Sequence, residues 1–143
     1  MRAALDEAQA AAEAGDTPIG AVVLGASGQI IARAGNRRQR DHDPLAHAEM
    51  LALRAAAEVL GSWRLDDCTL VVTLEPCAMC AGAIAQARLA RLVFGATDEK
   101  AGAVASLFDV LRDPRLPHRP QVVPGVLASE CAEVLQQFFD ARR

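Results

Sequence analysis

Runs of apolar residues along the chain predict five short β-strands. The segments "IGAVVLG" and "QIIARAGN" flank the turn "ASG" and together predict a β-hairpin. "TLVVTL" and "RLVFGA" are short apolar runs bounded by polar residues, which is typical of buried strands. "QVVPGVLA" predicts a fifth strand, which its proline and glycine must end early.

Four segments between these runs have helical patterns. Helix propensity predicts the first helix over Arg2–Ala14. Asp43-Pro44 has the chemistry of an N-cap followed by proline at the first helical position, so we expect the second helix to begin there and to continue to Leu60. The third is predicted from Pro76 to about Ala87. The last helix is predicted to bury one apolar face, made of Val134, Leu135, Phe138 and Phe139.

The predicted order of elements is α-β-β-α-β-α-β-loop-β-α. Strands that alternate with helices favour a mostly parallel sheet, and the opening hairpin makes that sheet mixed. We therefore expect one α/β domain over residues 1–143, with a central five-stranded mixed sheet and helices on both faces. In sheets of this kind, ligands bind at the carboxyl ends of the strands, where helices begin.

Composition and charge restrict the classes of function. No apolar run approaches the ~18 residues that a membrane span requires. Four cysteines are too few for a disulfide scaffold, so we expect a cytoplasmic protein with reduced thiols. The net charge of −3 disfavours general nucleic-acid binding, which usually needs a basic protein. Any polynucleotide must bind through local arginine clusters, of which there are two, at 36–40 and 141–143.

The segments "HAEM" and "LEPCAMCAG" carry the candidate chemistry. Cys77 and Cys80 are three residues apart near a predicted helix start, so both thiols lie on one helical face and the helix N-terminus favours their thiolate forms. His47 near the start of the preceding helix supplies a third metal ligand. Neither Cys68 nor Cys131 has a spacing that would complete a four-ligand structural zinc site.

Two other interpretations of these cysteines are weaker. A redox pair leaves His47 and Glu49 unexplained, and a structural zinc site lacks its fourth ligand. Three protein ligands with an open fourth position are typical of catalytic zinc, where water is the fourth ligand. Glu49, two residues from His47, is placed to act as the base for that water.

These residues resemble a known signature, H-x-E…P-C-x-x-C, of the zinc-dependent nucleobase and nucleoside deaminases. The segments "PIGAVV", "NRRQRDHDPLAHAEMLALR", "TLEPCAMCAGAI" and "RLVFGATDEKAGAVASLFDVL" and the closing "FFDARR" are similar to the bacterial tRNA adenosine deaminases. The resemblance covers nearly the whole chain and implies the three-layer α/β/α cytidine-deaminase-like fold. It also implies hydrolysis of the wobble adenosine to inosine in an arginine tRNA with an ACG anticodon.

The resemblance implies roles for seven residues. One zinc ion per chain is bound by His47, Cys77 and Cys80, and its water attacks C6 while Glu49 shuttles the proton. The substrate contacts it implies are made by the Asn36 amide, by the Ala48 backbone N–H and by Asp98, which is placed to bind a ribose 2′-OH. Two of these contacts have a simpler alternative, because Asn36 also fits a strand-ending turn and Asp98 a solvated acid in a loop.

Partners follow from the same resemblance, and two other functions stay open. We expect a tRNA anticodon stem-loop as substrate, with phosphate contacts from arginines, and a homodimer whose contact includes the helix after "CAMC". No membrane or DNA partner is expected. One alternative is a free-base deaminase acting on guanine or cytosine, and another is a non-catalytic metal-binding subunit, which the presence of Glu49 disfavours.

Overall fold

A computed structural model describes residues 1–143 and contains nine regular elements. The helices are α1 (Arg2–Glu13), α2 (Ala48–Leu60), α3 (Ala78–Gln86) and α4 (Ala128–Asp140). The strands are β1 (Gly20–Leu24), β2 (Ile30–Gly35), β3 (Thr69–Leu74), β4 (Arg91–Ala96) and β5 (Gln121–Val123). No helix combines the length and the apolarity needed to cross a bilayer.

The five strands form one mixed sheet in the order β2-β1-β3-β4-β5. Strand β1 pairs antiparallel with both β2 and β3, whereas β3, β4 and β5 run parallel. Because β3 and β4 are parallel neighbours, their carboxyl ends meet at one edge of the sheet, after Leu74 and Ala96. The mixed five-stranded sheet predicted from the sequence is thereby confirmed.

Successive side chains of each strand point to opposite faces of the sheet, so the interior is divided into two layers. On one face, Val22 and Val71 pack with Ala4 of α1, and α4 lies beside α1 on the same side. On the other face, a larger cluster joins the sheet to α2 and α3, and its members include Val23, Leu70, Ala52, Ala81 and Ile84. Burial of both faces accounts for the continuous apolar runs of β1 and β3. The helices on both faces confirm the three-layer α/β/α arrangement.

Close packing of α1 against the sheet depends on Gly20. A Cβ atom at this position would lie 1.9 Å from the Ala4 carbonyl oxygen and 2.5 Å from the Ala8 nitrogen. The absence of a side chain therefore lets the helix backbone lie directly on β1.

Three predicted helix features are wrong in detail. Helix α2 begins at Ala48 rather than at Pro44, because Asp43 accepts the Leu45 N–H (2.9 Å) in a local turn and the chain stays irregular up to His47. Helix α3 likewise begins two residues after Pro76. In α4 the predicted apolar face is only partly covered, and the Phe139 side chain is 48% exposed.

Candidate active site

Three potential metal ligands come together where α2 and α3 begin. The Nδ1 atom of His47 lies 3.7 Å from the Cys77 sulfur and 3.6 Å from the Cys80 sulfur. All three ligand atoms lie within 4.8 Å of one another. Cys80 is buried, and the other two side chains are partly exposed. The structure thus brings together the ligand set expected from the sequence.

The backbone at the two helix starts explains this convergence. His47 and Cys77 are the N-cap residues of α2 and α3, and both have extended backbone conformations (φ −71°, ψ 150° and φ −74°, ψ 177°). Neither side chain caps its own helix, so both are free to meet between the helices. Cys80 lies one turn into α3, on the same face as Cys77.

The geometry of the cluster fits a tetrahedral metal ion. Zinc binds sulfur at about 2.3 Å and nitrogen at about 2.0–2.1 Å, so a tetrahedral centre separates the nitrogen from each sulfur by about 3.6 Å. The observed separations from His47 are 3.7 Å and 3.6 Å. The cluster therefore has the donor atoms and the spacing of a three-ligand metal site.

The protonation of the cluster also favours a cation. Hydrogen bonds from Cys80 and His47 lower the pKa of the Cys77 thiol to about 3. The hydrogen bond to Cys77 and burial raise the pKa of Cys80, and the hydrogen bond to Cys77 raises the pKa of His47. In the metal-free protein, protons shared in hydrogen bonds lie between these three ligand atoms. Metal binding at the same place would release them.

Glu49 lies in the first turn of α2 and is almost entirely buried, with 4% of its surface exposed. Burial raises the pKa of its carboxyl to about 6. The negative charge of Glu49 acts to raise the pKa of His47, and the charge of His47 acts to lower the pKa of Glu49. A carboxyl with a pKa close to neutrality beside a metal site is suited to proton transfer.

Asn36 and Ala48 lie at the ends of the loop that leads to His47. Asn36 is buried, and its side-chain oxygen accepts the Arg38 N–H (3.0 Å), which is the turn role that the sequence also allowed. Its side-chain N–H groups donate to no other residue of the chain. Ala48 is fully buried, and its backbone N–H has no acceptor within α2 because it lies in the first turn.

Asp98 begins the loop after β4, at the same sheet edge. Its side chain accepts the N–H groups of Lys100 (3.1 Å) and Ala101 (3.2 Å), so one carboxylate oxygen shapes its own turn. The loop reaches the metal-site helix, because Gly102 pairs with Cys77 in an isolated bridge. The loop that Asp98 begins thus contacts the metal-site helix, and the Asp98 carboxylate stabilises a turn within that loop.

The five arginines expected to bind phosphate differ in their surroundings. Arg37 pairs with Asp41 at 2.9 Å, and Arg40 lies 3.9 Å from the same carboxylate. At the carboxyl terminus, Arg142 lies over the Phe138 ring and Arg143 pairs with Asp140. Arg38 is exposed and forms no ion pair, so among the five it is the arginine most available to a phosphate.

Sequence reasoning missed a buried carboxylate that holds the loop after β2. This loop carries Arg37, Arg38 and Arg40 and is called here the arginine loop. Asp16 is 2% exposed and accepts the backbone N–H groups of Gln39 (2.7 Å) and Arg40 (3.1 Å). These bonds tie the loop after β2 to the end of α1. No local signal marks this role, because the two bonded segments are more than 20 residues apart.

A second buried carboxylate, Glu75, lies directly before Pro76 and was given no role from the sequence. The structure places it between β3 and α3 with 2% of its surface exposed. It accepts hydrogen bonds from the loop after β4. Its position at the carboxyl end of a buried strand was the available signal, since that is where ligands and the loops that bind them lie.

Comparison with known proteins supports the chemistry of this site. The MafB19-like deaminase family model matches residues 1–143. The chain is 48% identical over 139 residues to a tRNA-specific adenosine deaminase of Bacillus subtilis, an alignment that covers 97% of this chain and 86% of the relative. A solved structure from a study of A-to-I editing by tRNA:A34 deaminases superposes with a TM-score of 0.90 at 48% identity, covering 94% and 97% of the two chains.

A guanine deaminase is a more distant relative. The enzyme from Nitrosomonas europaea has a TM-score of 0.79 and 27% identity, and the alignment covers 94% of this chain and 80% of that one. The greater sequence identity to the tRNA deaminases, over almost their full lengths, separates the two groups. The chain therefore belongs to the MafB19-like deaminase family and, within it, to the tRNA-specific adenosine deaminases.

Proposed function

We propose that this protein is a zinc-dependent tRNA adenosine deaminase that hydrolyses the wobble adenosine of an ACG-anticodon arginine tRNA to inosine. The observation that carries the proposal is the meeting of three metal-ligand atoms and one buried carboxylate at two helix starts, in a chain of this family. Residues 1–143 act as one deaminase domain, in the cytoplasm where tRNA is found.

The metal site holds one zinc ion per chain, through His47, Cys77 and Cys80. When bound, zinc supplies a Lewis acid that makes a water molecule nucleophilic near neutral pH. The histidine and two thiolates suit zinc, and three protein ligands leave a position for the reacting water.

Glu49 performs the proton transfers. Its carboxylate accepts a proton from the attacking water and delivers it to the purine ring nitrogen. It then takes the proton of the new hydroxyl group at C6 and gives it to the amino group, which departs as ammonia. The oxygen of the water replaces the amino group at C6, so adenosine and water give inosine and ammonia. Burial supports this role, because a pKa of about 6 lets the same carboxyl accept and donate near neutral pH.

The base and its ribose bind along the sheet edge that carries the metal site. The Asn36 amide donates to the purine through its free N–H groups, and the Ala48 N–H supplies a further donor at the start of α2. Asp98 accepts from a ribose 2′-OH with the carboxylate oxygen that its own turn does not use. A hydroxyl contact of this kind favours RNA over DNA.

RNA binding depends on local positive charge, because the net charge of the chain is −3. Arg38 contributes a phosphate contact as it stands, whereas Arg37 and Arg40 must exchange Asp41 for a phosphate. An anticodon loop presents an unpaired base, so the cost of bringing adenosine into the site is small.

A panel of substrates tests this function. Purified zinc-loaded protein is given the ACG stem-loop, a matched stem-loop with guanosine at the wobble position, and free adenosine, guanine, cytosine and cytidine. Inosine and ammonia are measured together. We expect rapid inosine formation in the ACG stem-loop alone. Rapid turnover of guanine or cytosine with an unedited stem-loop would replace this proposal with the free-base alternative.

The protein also acts as a homodimer in this proposal. An apolar groove of about 300 Å³ lies between α2 and α3, and it is lined by Met50, Leu53, Ala83 and Trp63, whose side chain is 64% exposed. A second copy would cover these side chains, and α3 is the helix that follows the cysteines. Light scattering at micromolar concentration should give the dimer mass for the parent and the monomer mass for Trp63→Asp. A monomeric parent would contradict the dimer.

A further inference from the structure

One buried carboxylate organises the whole loop after β4. Glu75 accepts the backbone N–H of Asp98 at 3.1 Å, and it accepts three consecutive backbone N–H groups at 2.9–3.2 Å, those of Val104, Ala105 and Ser106. The Ser106 hydroxyl also donates to it. All five hydrogen bonds come from residues 98–106, the segment called here the 98–106 loop.

The loop wraps this carboxylate closely. A Cβ atom at Gly102 would lie 2.3 Å from the Glu75 carboxylate carbon and 2.4–2.5 Å from its oxygens. The Ala103 N–H donates to the Pro76 carbonyl at 2.8 Å, and Gly102 pairs with the metal-ligand residue Cys77. The loop is therefore fixed both to Glu75 and to the chain that leads into α3.

Glu75 has no arginine or lysine partner, so four backbone N–H groups and the Ser106 hydroxyl compensate its buried charge. Burial acts to raise the pKa of this carboxyl, but the hydrogen bonds from Ser106, Asp98 and Val104 outweigh it, and the pKa lies below its usual value. A buried charge without hydrogen bonds is costly, so the carboxylate and the loop geometry depend on each other. The carboxylate thus holds one specific loop shape at the rim of the metal site.

The outer side of this loop is exposed. Asp98 is partly exposed, Glu99 and Lys100 are exposed, and Leu107 and Phe108, which follow the loop, are 52% and 55% exposed. Because Gly102 in the middle of the loop pairs with Cys77, this exposed surface adjoins the metal site, where a substrate larger than a single base can contact it.

We propose that Glu75 is a positioning residue for RNA: its carboxylate holds the 98–106 loop in the shape that binds the nucleotides around the reacting adenosine. The proposal rests on the proposed function. Glu75 takes no part in metal binding or in proton transfer, since all five of its hydrogen bonds are to the loop. Loss of the carboxylate leaves the reaction intact and weakens RNA binding.

The test changes the contact between Glu75 and the 98–106 loop at each of its two partners in turn. Glu75→Gln keeps the size of the side chain but replaces one accepting oxygen with an NH₂ group. Gly102→Ala keeps Glu75 and places a methyl group against its carboxylate. Glu58→Gln is the matched control, because it makes the same charge change at an exposed position near the C-terminal end of α2, away from the loop. Ser106→Ala is the milder variant, which removes one donor and is used if Glu75→Gln does not fold.

Steady-state kinetics on the ACG stem-loop, zinc content and hydrogen exchange are measured for each zinc-loaded protein. We expect KM to rise about tenfold in both variants, since binding weakens by the fraction of time that the loop has the competent shape. The double variant Glu75→Gln/Gly102→Ala should have a KM no higher than that of the more affected single variant, because both substitutions act through one contact. Turnover at saturating RNA and zinc content should stay at the parent level, and exchange should accelerate at residues 98–106 only.

Three results would overturn the proposal. The first is an unchanged KM in Glu75→Gln; the second is a parallel loss of turnover and zinc with exchange accelerated throughout the chain, which indicates a merely structural role. The third is an equal rise of KM in Glu58→Gln, which indicates an effect of charge. A parent that neither binds nor deaminates the stem-loop would instead refute the proposed function, so the two failures are distinguishable.

Discussion

Replacement of Glu49 by alanine gives the most direct test of the chemistry. The side chain lies in the first turn of α2 and is 4% exposed, so bulk water has little access to the position from which it acts. No neighbouring carboxylate can replace it, because Glu75 is engaged in five hydrogen bonds to the 98–106 loop. The Asp98 side chain likewise shapes its own turn.

The size of the effect follows from these contacts. A general acid–base group contributes about 10²–10⁴-fold, which corresponds to about 3–5 kcal/mol of activation free energy. Glu49 serves several proton transfers, so we expect turnover to fall by about 10⁴-fold. Stability should change little, because alanine is the best helix former and the variant loses only about 0.3–1 kcal/mol of interaction with the helix dipole while removing a buried charge.

The assay is inosine formation under single-turnover conditions, with zinc content and thermal unfolding measured on the same samples. Glu49→Gln tests the carboxylate at constant size, and Glu58→Ala, on the exposed side of the same helix, is the matched control. We expect Glu49→Ala to keep zinc and fold while losing turnover, and Glu58→Ala to match the parent. Turnover within tenfold of the parent in a zinc-loaded Glu49→Ala protein would refute the role of Glu49.

Four further predictions follow from the structure. Cys80→Ala should lose zinc in elemental analysis whereas Cys131→Ala, at a buried cysteine far from the cluster, should retain it; zinc retained in Cys80→Ala would contradict the ligand set. Asp16→Ala should free the arginine loop and raise KM for the stem-loop about tenfold with zinc unchanged, and an unchanged KM would show that the loop needs no anchor. Arg38→Ala should weaken RNA binding and lower the slope of log K against log salt by about 1, and an unaltered slope would exclude a phosphate contact. Gly20→Ala should lower the free energy of unfolding by about 1–3 kcal/mol in denaturant titrations, since its Cβ would lie 1.9 Å from an α1 carbonyl oxygen; wild-type stability would mean that α1 can shift without cost.

The sheet was predictable because its strands carry a strong apolar signal. The bounds of β3 and β4 equal the apolar runs "TLVVTL" and "RLVFGA", since both faces of these strands are buried. The apolar face predicted for α4 was less accurate. Four apolar residues within six positions cover more of the helix surface than the sheet can bury, and Phe139 is left exposed.

The metal cluster was predictable from residue types and spacing, but the backbone conformation at its ligand residues was not. Asp43-Pro44 has the local chemistry of a helix start, yet α2 begins at Ala48. His47 must be extended for its ring to reach the cysteines, so the helix can begin only after it. Anchoring of the two loops was also beyond the sequence, because Asp16 and Glu75 bond to backbone N–H groups, which every residue except proline possesses.

The mode of anchoring at Glu75 has a consequence for how this enzyme can diverge or be redesigned. Because four of its five hydrogen bonds are to main-chain N–H groups, the carboxylate holds the 98–106 loop whatever side chains the loop carries, provided that no proline occupies a donor position and that Gly102 is kept. Positions 99–101, which are exposed and make no bond to Glu75, are free to vary. Libraries that randomise these three positions should thus yield folded enzymes with altered preference for the nucleotides beside the reacting adenosine.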